Sequence, residues 1–355
     1  MNSDRIQEIL DLMEEARLDY FLISDPQSIA YCTGYYNDPH ERMFVFMISK
    51  HGNHTLFMND LFYLDHDLDV NIVWHKDGQD AIQTIVDEMH FPGRIGIDKN
   101  WASHFLLDLM KKLPDAKYIN ASPCVDLVRM KKDLQEQVLM IESSKINDAV
   151  MEEIIPFIQE GVTEKQLAKK LDELFFNHHS TCYGAIVAFG KNAADPHHEN
   201  DDTLLRKGDC VLIDMGCVYK GYCSDMTRTF FYEGILEEEI KVYEIVKKAN
   251  EAAEAMIKPG VKLSDIDKCA RKVISDEGYG KYFTHRLGHF IGRDVHEYGD
   301  VSSVNEMEVE ERMIFSIEPG IYLEGNFGVR VEDLVMVTKD GCQVLNSFTK
   351  DIYII

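Results

Sequence analysis

The sequence predicts two domains: an α/β domain with a mixed sheet over about residues 1–125, then an α+β domain over 126–355. Three observations carry this. The chain has 355 residues, about two domains' worth. Up to about residue 120, short β-branched and aromatic runs alternate with helical patterns. Beyond it, a charge-rich helical run at 130–159 opens a stretch in which strands come in runs and helices stand apart, an α+β signature.

Taken in order, Ile6, Ile9, Leu10 and Met13 recur at helical spacing within Arg5–Arg17. Tyr20–Ile23, Met43–Ile48, His54–Met58, Ile72–Trp74 and Arg94–Ile97 read as short strands, with helices expected near 78–90 and 101–113. In the second domain helices are expected at 163–178, 236–257 and 263–277. Strands are expected at Gly184–Ala188, Asp209–Met215, Met226–Tyr232, Met313–Ile317 and Gly328–Val337. Gly161-Val162-Thr163 and Gly260-Val261-Lys262 each open an amphipathic helix followed by strands, a faint internal echo at a spacing of about a hundred residues.

Composition narrows the function classes. With 45% hydrophobic and 28% charged residues the chain can bury a core. Its 62 acidic against 37 basic residues give a net charge of −25, which repels nucleic-acid phosphate and anionic membranes, so neither is expected as a partner. The N-terminus carries acidic residues unlike a secretory signal, and no apolar run approaches the roughly 18 residues of a membrane span. A cytoplasmic protein is expected. The eight cysteines form no CxxC pair and are expected to be buried thiols.

Five residues stand out by their settings. Asp214 lies near the end of the apolar run VLIDMG, and Asp225 opens the strand in GYCSDMTRTFF. VYKGY between them can close a hairpin that brings the two carboxylates together. Glu318 in MIFSIEPGIY and Glu332, followed by Asp333, in VRVEDLVMV are again acids in largely apolar runs, and His289 lies in GHFIGRDVHE. Any one of these acids alone would more often face solvent or pair with an arginine. Together, four carboxylates and one imidazole make a hard, oxygen-rich set suited to two divalent ions such as Mn²⁺, with zinc less favoured.

The series VLIDMG, SDMTRTF, HRLGHFIG, SIEPG and VRVEDLV, in this order, resembles the pita-bread metallopeptidases: methionine aminopeptidase, Xaa-Pro aminopeptidase, prolidase and creatinase. The resemblance spans roughly residues 130–355. It implies a pseudo-twofold pita-bread catalytic domain with a dinuclear centre, Mn²⁺ favoured over Co²⁺ or Zn²⁺. Asp214 would serve one ion and His289 and Glu318 the other, with Asp225 and Glu332 bridging. It also implies that His197 in ADPHHEN, rather than His198, and His296 in VHE act on substrate. A hydroxide bridging the ions would attack the peptide carbonyl, and Glu318 would carry the proton to the leaving nitrogen. Tyr322 matches a tyrosine near the site of related aminopeptidases. Arg330, two residues before Glu332, would share its face in a strand and orient it.

The mixed domain ahead of the catalytic one is similar to prolidase, Xaa-Pro aminopeptidase or creatinase rather than methionine aminopeptidase. GYYNDPHER at 34–42 resembles a segment of bacterial prolidases that dimerisation brings toward the partner's cleft, which makes His40 and Arg42 substrate-side candidates in a homodimer. Read alone, the same segment is a solvated Asp-Pro turn. Hydrolysis of Xaa-Pro dipeptides is the expected activity. The alternatives are an Xaa-Pro aminopeptidase acting on longer peptides and a non-catalytic binding module. A dipeptidase needs a cation for the proline carboxylate; Arg293, where many members of the resembled family carry an apolar residue, is one candidate, and His40 or Arg42 from a partner subunit are others.

Overall fold

In the computed structural model, which describes residues 1–90 and 92–355, the chain divides into two compact units, Met1–Arg129 and Met130–Ile355. Among the described residues no helix is long and apolar enough to cross a membrane.

The first unit is built on a six-stranded sheet in the order Asn71–His75, Thr55–Asn59, Val45–Ser49, Tyr20–Ile23, Arg94–Ile97, Lys117–Asn120. The sheet is mixed. Tyr20–Ile23 runs antiparallel to Val45–Ser49 and parallel to Arg94–Ile97. Parallel neighbours need a crossover; helix Ser103–Lys112 carries the one between Arg94–Ile97 and Lys117–Asn120, and helix Ala81–Glu88 leads from the edge strand Asn71–His75 back to Arg94–Ile97. The central strand YFLI is buried throughout because both sheet faces are covered. Phe21 and Ile23 enter the core on one face and Tyr20 and Leu22 that on the other, as strand alternation requires.

The expected strands and all three expected helices of this unit are present, shifted by one to three residues at several ends. Helix Pro26–Thr33 was not anticipated. It is short and buried at all but its first two residues, so it shows no amphipathic period. Asp25, accepting from the Ser28 N–H at 2.8 Å, starts it, and Gly34 at φ +82° ends it. Strand Lys117–Asn120, at the sheet edge, also lacked a clear alternation.

In the second unit, the order helix, helix, antiparallel strands occurs twice. Helices Leu134–Ile154 and Glu164–Asn177 precede the sheet formed by Ile186–Phe189, Cys210–Met215 and Met226–Phe231. Helices Glu237–Met256 and Leu263–Asp276 precede the sheet formed by Ile314–Ile317, Asp333–Val337 and Cys342–Val344. The long helical run expected at 130–159 is shorter. Asp133 and Glu136 form a capping box that starts the helix at Leu134, and it passes into a 3-10 turn, Ile155–Phe157, that contains Pro156.

A second correction bears on the site. The single strand expected at Gly328–Val337 is two, Phe327–Arg330 and Asp333–Val337, which pair with different partners. Glu332 sits at the change-over, its N–H donating to the Thr227 carbonyl at 3.1 Å. Glu318 lies at a similar change-over, between Ile314–Ile317 and Gly320–Leu323. All eight cysteines are free thiols; Cys182, Cys269 and Cys342 are only partly buried, the rest buried as expected.

Candidate metal centre

A cavity of about 510 Å³ in the second unit is lined by Asp214, Asp225, His289, Glu318 and Glu332, together with His197, His285, Arg286, His296 and Arg330. All five ligand candidates therefore meet in one place.

The backbone brings them there through close approaches. Asp214 lies opposite Thr227 in the antiparallel pair, two residues along the strand from Asp225, which precedes Met226. At Gly216, between the ligand strand and the hairpin, an added Cβ would fall 2.0 Å from both the Ser224 carbonyl oxygen and the Tyr183 hydroxyl. At Gly288 it would fall 1.8 Å from the Ser316 carbonyl oxygen. Glycine there lets the His289 backbone lie against Ile314–Ile317, where its N–H donates to Ser316 Oγ at 3.0 Å. Ser316 Oγ in turn lies 3.3 Å from Glu318 Oε1, so one hydroxyl spaces two ligand candidates.

The donor atoms fit a cation. His289 Nδ1 lies 3.2 Å from the Phe290 carbonyl oxygen, which can only accept, so Nδ1 carries the proton and Nε2 presents a lone pair. That lone pair faces Asp225 Oδ2 and Glu318 Oε1, each at 3.6 Å. The separations exceed a hydrogen bond and suit ligands of one ion at bond lengths of about 2.0–2.2 Å. Asp225, His289 and Glu332 offer donor atoms all within 4.8 Å of one another.

Electrostatics point the same way. Burial, reinforced by Asp225, Glu318 and Asp214, pushes the Glu332 carboxyl well above the usual carboxylate range. Burial likewise pushes Glu318 up to about 7, against the pull of His289 and Arg330 and with the push of Asp214 and Asp225. Asp214 is raised by burial and by Asp225, opposed by Arg330. Burial disfavours a charged His289, but Asp225 and Glu318 outweigh it and raise its pKa. Without bound cations these buried carboxylates crowd one another; divalent ions relieve the crowding.

A hydrogen-bonded chain holds the two ends of the set. Arg330 Nη2 donates to Asp214 Oδ2 at 2.6 Å and Nη1 to the Tyr322 hydroxyl at 2.9 Å. His285 Nδ1–H donates to the Arg286 carbonyl at 2.7 Å, so Nε2 accepts from the Tyr322 hydroxyl at 2.8 Å. On the other side Arg330 Nε donates to Thr227 Oγ1 at 3.1 Å, and Thr227 donates to Glu332 Oε2 at 2.6 Å. Arg330 thus addresses Asp214 directly and Glu332 only through Thr227. The strand break between Arg330 and Glu332 removes the simple face argument, although both side chains line the cavity.

His296 packs edge-on against His289 at 4.3 Å between ring centroids. Burial, then His289 and Arg286, lower its pKa to about 4, so it stays neutral near pH 7. His197 lines the cavity from the loop after Gly190–Ala194, whereas His198 bonds to Glu164 Oε2 at 2.6 Å. Glu164, His198 and Asp201 form a second grouping of possible metal donors. Glu164 already accepts from the Phe189 N–H, Asn192 and the Asp201 N–H, which ties the loop down.

Four candidates do not line the cavity; Tyr322, bonded to Arg330 and His285, stands one residue behind it. Arg293 is absent from its lining; its guanidinium lies 5.4 Å above the Tyr222 ring and against Gly221. His40 and Arg42 belong to the first unit. Arg42 donates to both Asp77 oxygens at 3.0 and 2.9 Å, and His40, at φ +50°, sits beside Asp38. Conversely, sequence reading passed over Thr227, His285, Arg286 and Tyr183. His285 and Arg286 carried one signal, the paired histidines of HRLGH.

Fold and site together define a metallopeptidase. Residues 138–339 match the model of metallopeptidase family M24 and residues 5–131 that of the creatinase/prolidase N-terminal domain; the chain belongs to family M24. It is 34% identical to an uncharacterized peptidase of Staphylococcus aureus (strain bovine RF122 / ET3-1) over 355 residues, 98% of this chain and 99% of the relative. Among solved structures it is similar to a dipeptidase from Pyrococcus horikoshii OT3, with 34% identity, a TM-score of 0.92, and 99% and 100% of the two chains covered. A Xaa-Pro dipeptidase from Bacillus anthracis is similar at 28% identity and a TM-score of 0.92, covering 99% of both chains.

Proposed function

We propose that the protein hydrolyses Xaa-Pro dipeptides at a dinuclear centre held by Asp214, Asp225, His289, Glu318 and Glu332. The observation that carries this is the single cavity in which those five residues meet His197 and His296. Similarity along the whole chain to proteins named as dipeptidases supports the substrate class. Manganese suits the oxygen-rich donor set best. A cytoplasmic homodimer completes the reading.

When bound, two divalent ions supply Lewis acidity and make water more acidic. The chain's own residues do the rest. Glu318, with its carboxyl pushed up to about 7 in the ion-free site, takes the proton of the attacking water and returns it to the proline nitrogen as the C–N bond breaks. Neutral His296 donates a hydrogen bond to the developing oxyanion, and His197 positions the substrate amide. Arg330, anchored by Tyr322 and Thr227, keeps Asp214 oriented.

The test is leucine release from Leu-Pro and from a Leu-Pro-initiated tripeptide by Mn²⁺-reconstituted protein. A kcat/KM at least tenfold higher for the dipeptide is expected. The reverse order would make the protein an Xaa-Pro aminopeptidase, and no release from either would leave a binding module on the same scaffold.

A further inference from the structure

We propose that Arg286, rather than Arg293, reads the free carboxylate of the substrate and so sets the preference for dipeptides; this rests on the dipeptidase reading above. The cavity wall holds two arginines, Arg286 and Arg330. Arg330 is 2% exposed and its guanidinium is committed: Nε to Thr227, Nη1 to Tyr322 and the Pro196 carbonyl, Nη2 to Asp214. A substrate carboxylate could engage it only by displacing a ligand candidate.

Arg286 is the opposite case. It is exposed, lines the same cavity, and its guanidinium makes no hydrogen bond or ion pair with any described residue. Its backbone is fixed, because its carbonyl accepts from His285 Nδ1 at 2.7 Å. The side chain therefore projects from a held point. It lies near enough to His296 for its charge to help lower the pKa of that imidazole.

The remaining ionisable groups of the wall, Tyr183 apart, are the carboxylates at the metal end and the histidines around them. A dipeptide binds with its scissile carbonyl at the carboxylate-rich end and leaves its own carboxylate one residue further out. That anion needs a cation away from Asp214, Asp225, Glu318 and Glu332, and an uncommitted guanidinium fork meets it with two parallel N–H donors. A longer peptide presents a neutral amide at the same place and gains much less. Arg286 thus acts as a specificity-determining residue through the charge of the substrate's C-terminus.

The experiment compares Leu-Pro with Leu-Pro-amide on Mn²⁺-loaded wild type, Arg286→Gln and Arg286→Lys, with metal content and Tm measured for each. In Arg286→Gln, KM for Leu-Pro should rise about 10- to 100-fold, the worth of a charge-assisted hydrogen bond. Its kcat for Leu-Pro and all parameters for the amide should stay within about threefold, and Arg286→Lys should fall between. An equal loss on both substrates, or no change on either, overturns the assignment. A wild type that prefers the amide, or cleaves neither, overturns the dipeptidase reading itself and this one with it, without reference to the variants.

Discussion

Replacing Thr227 with Val should weaken metal binding while leaving the metal-free fold nearly intact. Thr227 is fully buried, and its single hydroxyl donates to Glu332 Oε2 and accepts from Arg330 Nε. Valine keeps the shape and removes both bonds. A buried donor left without an acceptor costs about 1–3 kcal/mol, and a charge-assisted bond is worth a similar amount. Both bonds share one oxygen and so do not add, which makes about 2 kcal/mol a fair total for the ion-bound protein. That is roughly a 30-fold change in an equilibrium constant. The loss is unequal between states. In the ion-free site burial and neighbouring carboxylates hold the Glu332 carboxyl well above the usual range, while the Thr227 bond favours its ionised form. The ionised form is the one a metal takes, so the loss falls mainly on the bound state. The assay is competition for Mn²⁺ against a chromophoric chelator near neutral pH, with Thr227→Ser as the variant that keeps the hydroxyl. Unchanged affinity in Thr227→Val, or equal weakening in Thr227→Ser, would refute the reasoning.

Other consequences follow from the same geometry. Burial, then Arg330, lower the His285 pKa from 6.5 to about 4. A depressed histidine contributes stability that is present above 6.5 and lost as pH falls through about 4, roughly 3 kcal/mol for the full shift. Denaturant unfolding should therefore show wild type losing more stability than His285→Gln between those limits; parallel losses would exclude the buried neutral imidazole. Gly288→Ala would place a Cβ 1.8 Å from the Ser316 carbonyl oxygen, so a stability loss of at least about 3 kcal/mol and loss of metal are expected. Gly325→Ala, at φ +76° with open space around it, should cost only about 1–2 kcal/mol, and equal Tm losses would contradict the close-approach argument. Chelation should abolish peptidase activity, with Mn²⁺ restoring it and raising Tm as its concentration increases; a Tm indifferent to Mn²⁺ would argue against a metal held by these residues.

The ligand candidates were legible because a carboxylate in an apolar run is chemically out of place. VLIDMG and SIEPG each flag one acid and VRVEDLV the pair Glu332-Asp333; with Asp225 and Glu332 buried and Asp214 and Glu318 partly buried beside His289, a cation would offset their crowding. Thr227 and His285 were not legible. Hydroxyls and imidazoles are common in strands and loops, and nothing local tells Thr227 from Thr229, whose hydroxyl donates instead to the Arg330 carbonyl. Helix Pro26–Thr33 was missed for a related reason, since a helix buried on nearly every side has no polar face to reveal its period.

Sequence alone determined the two-part layout, the antiparallel hairpin that sets Asp214 beside Asp225, and the donor chemistry. These depend on local pattern and on residue type, which the chain carries in order. Which arginine faces the cavity was decided only by the tertiary structure. Arg293 is closer in sequence to His296, yet it lies over Tyr222, while Arg286 lines the wall. Side-chain direction follows alternation only along one continuous strand, and here the chain changes partners at Glu318 and again at Glu332. At such points the direction is set by the partner strands and by close backbone contacts such as Gly288 against Ser316.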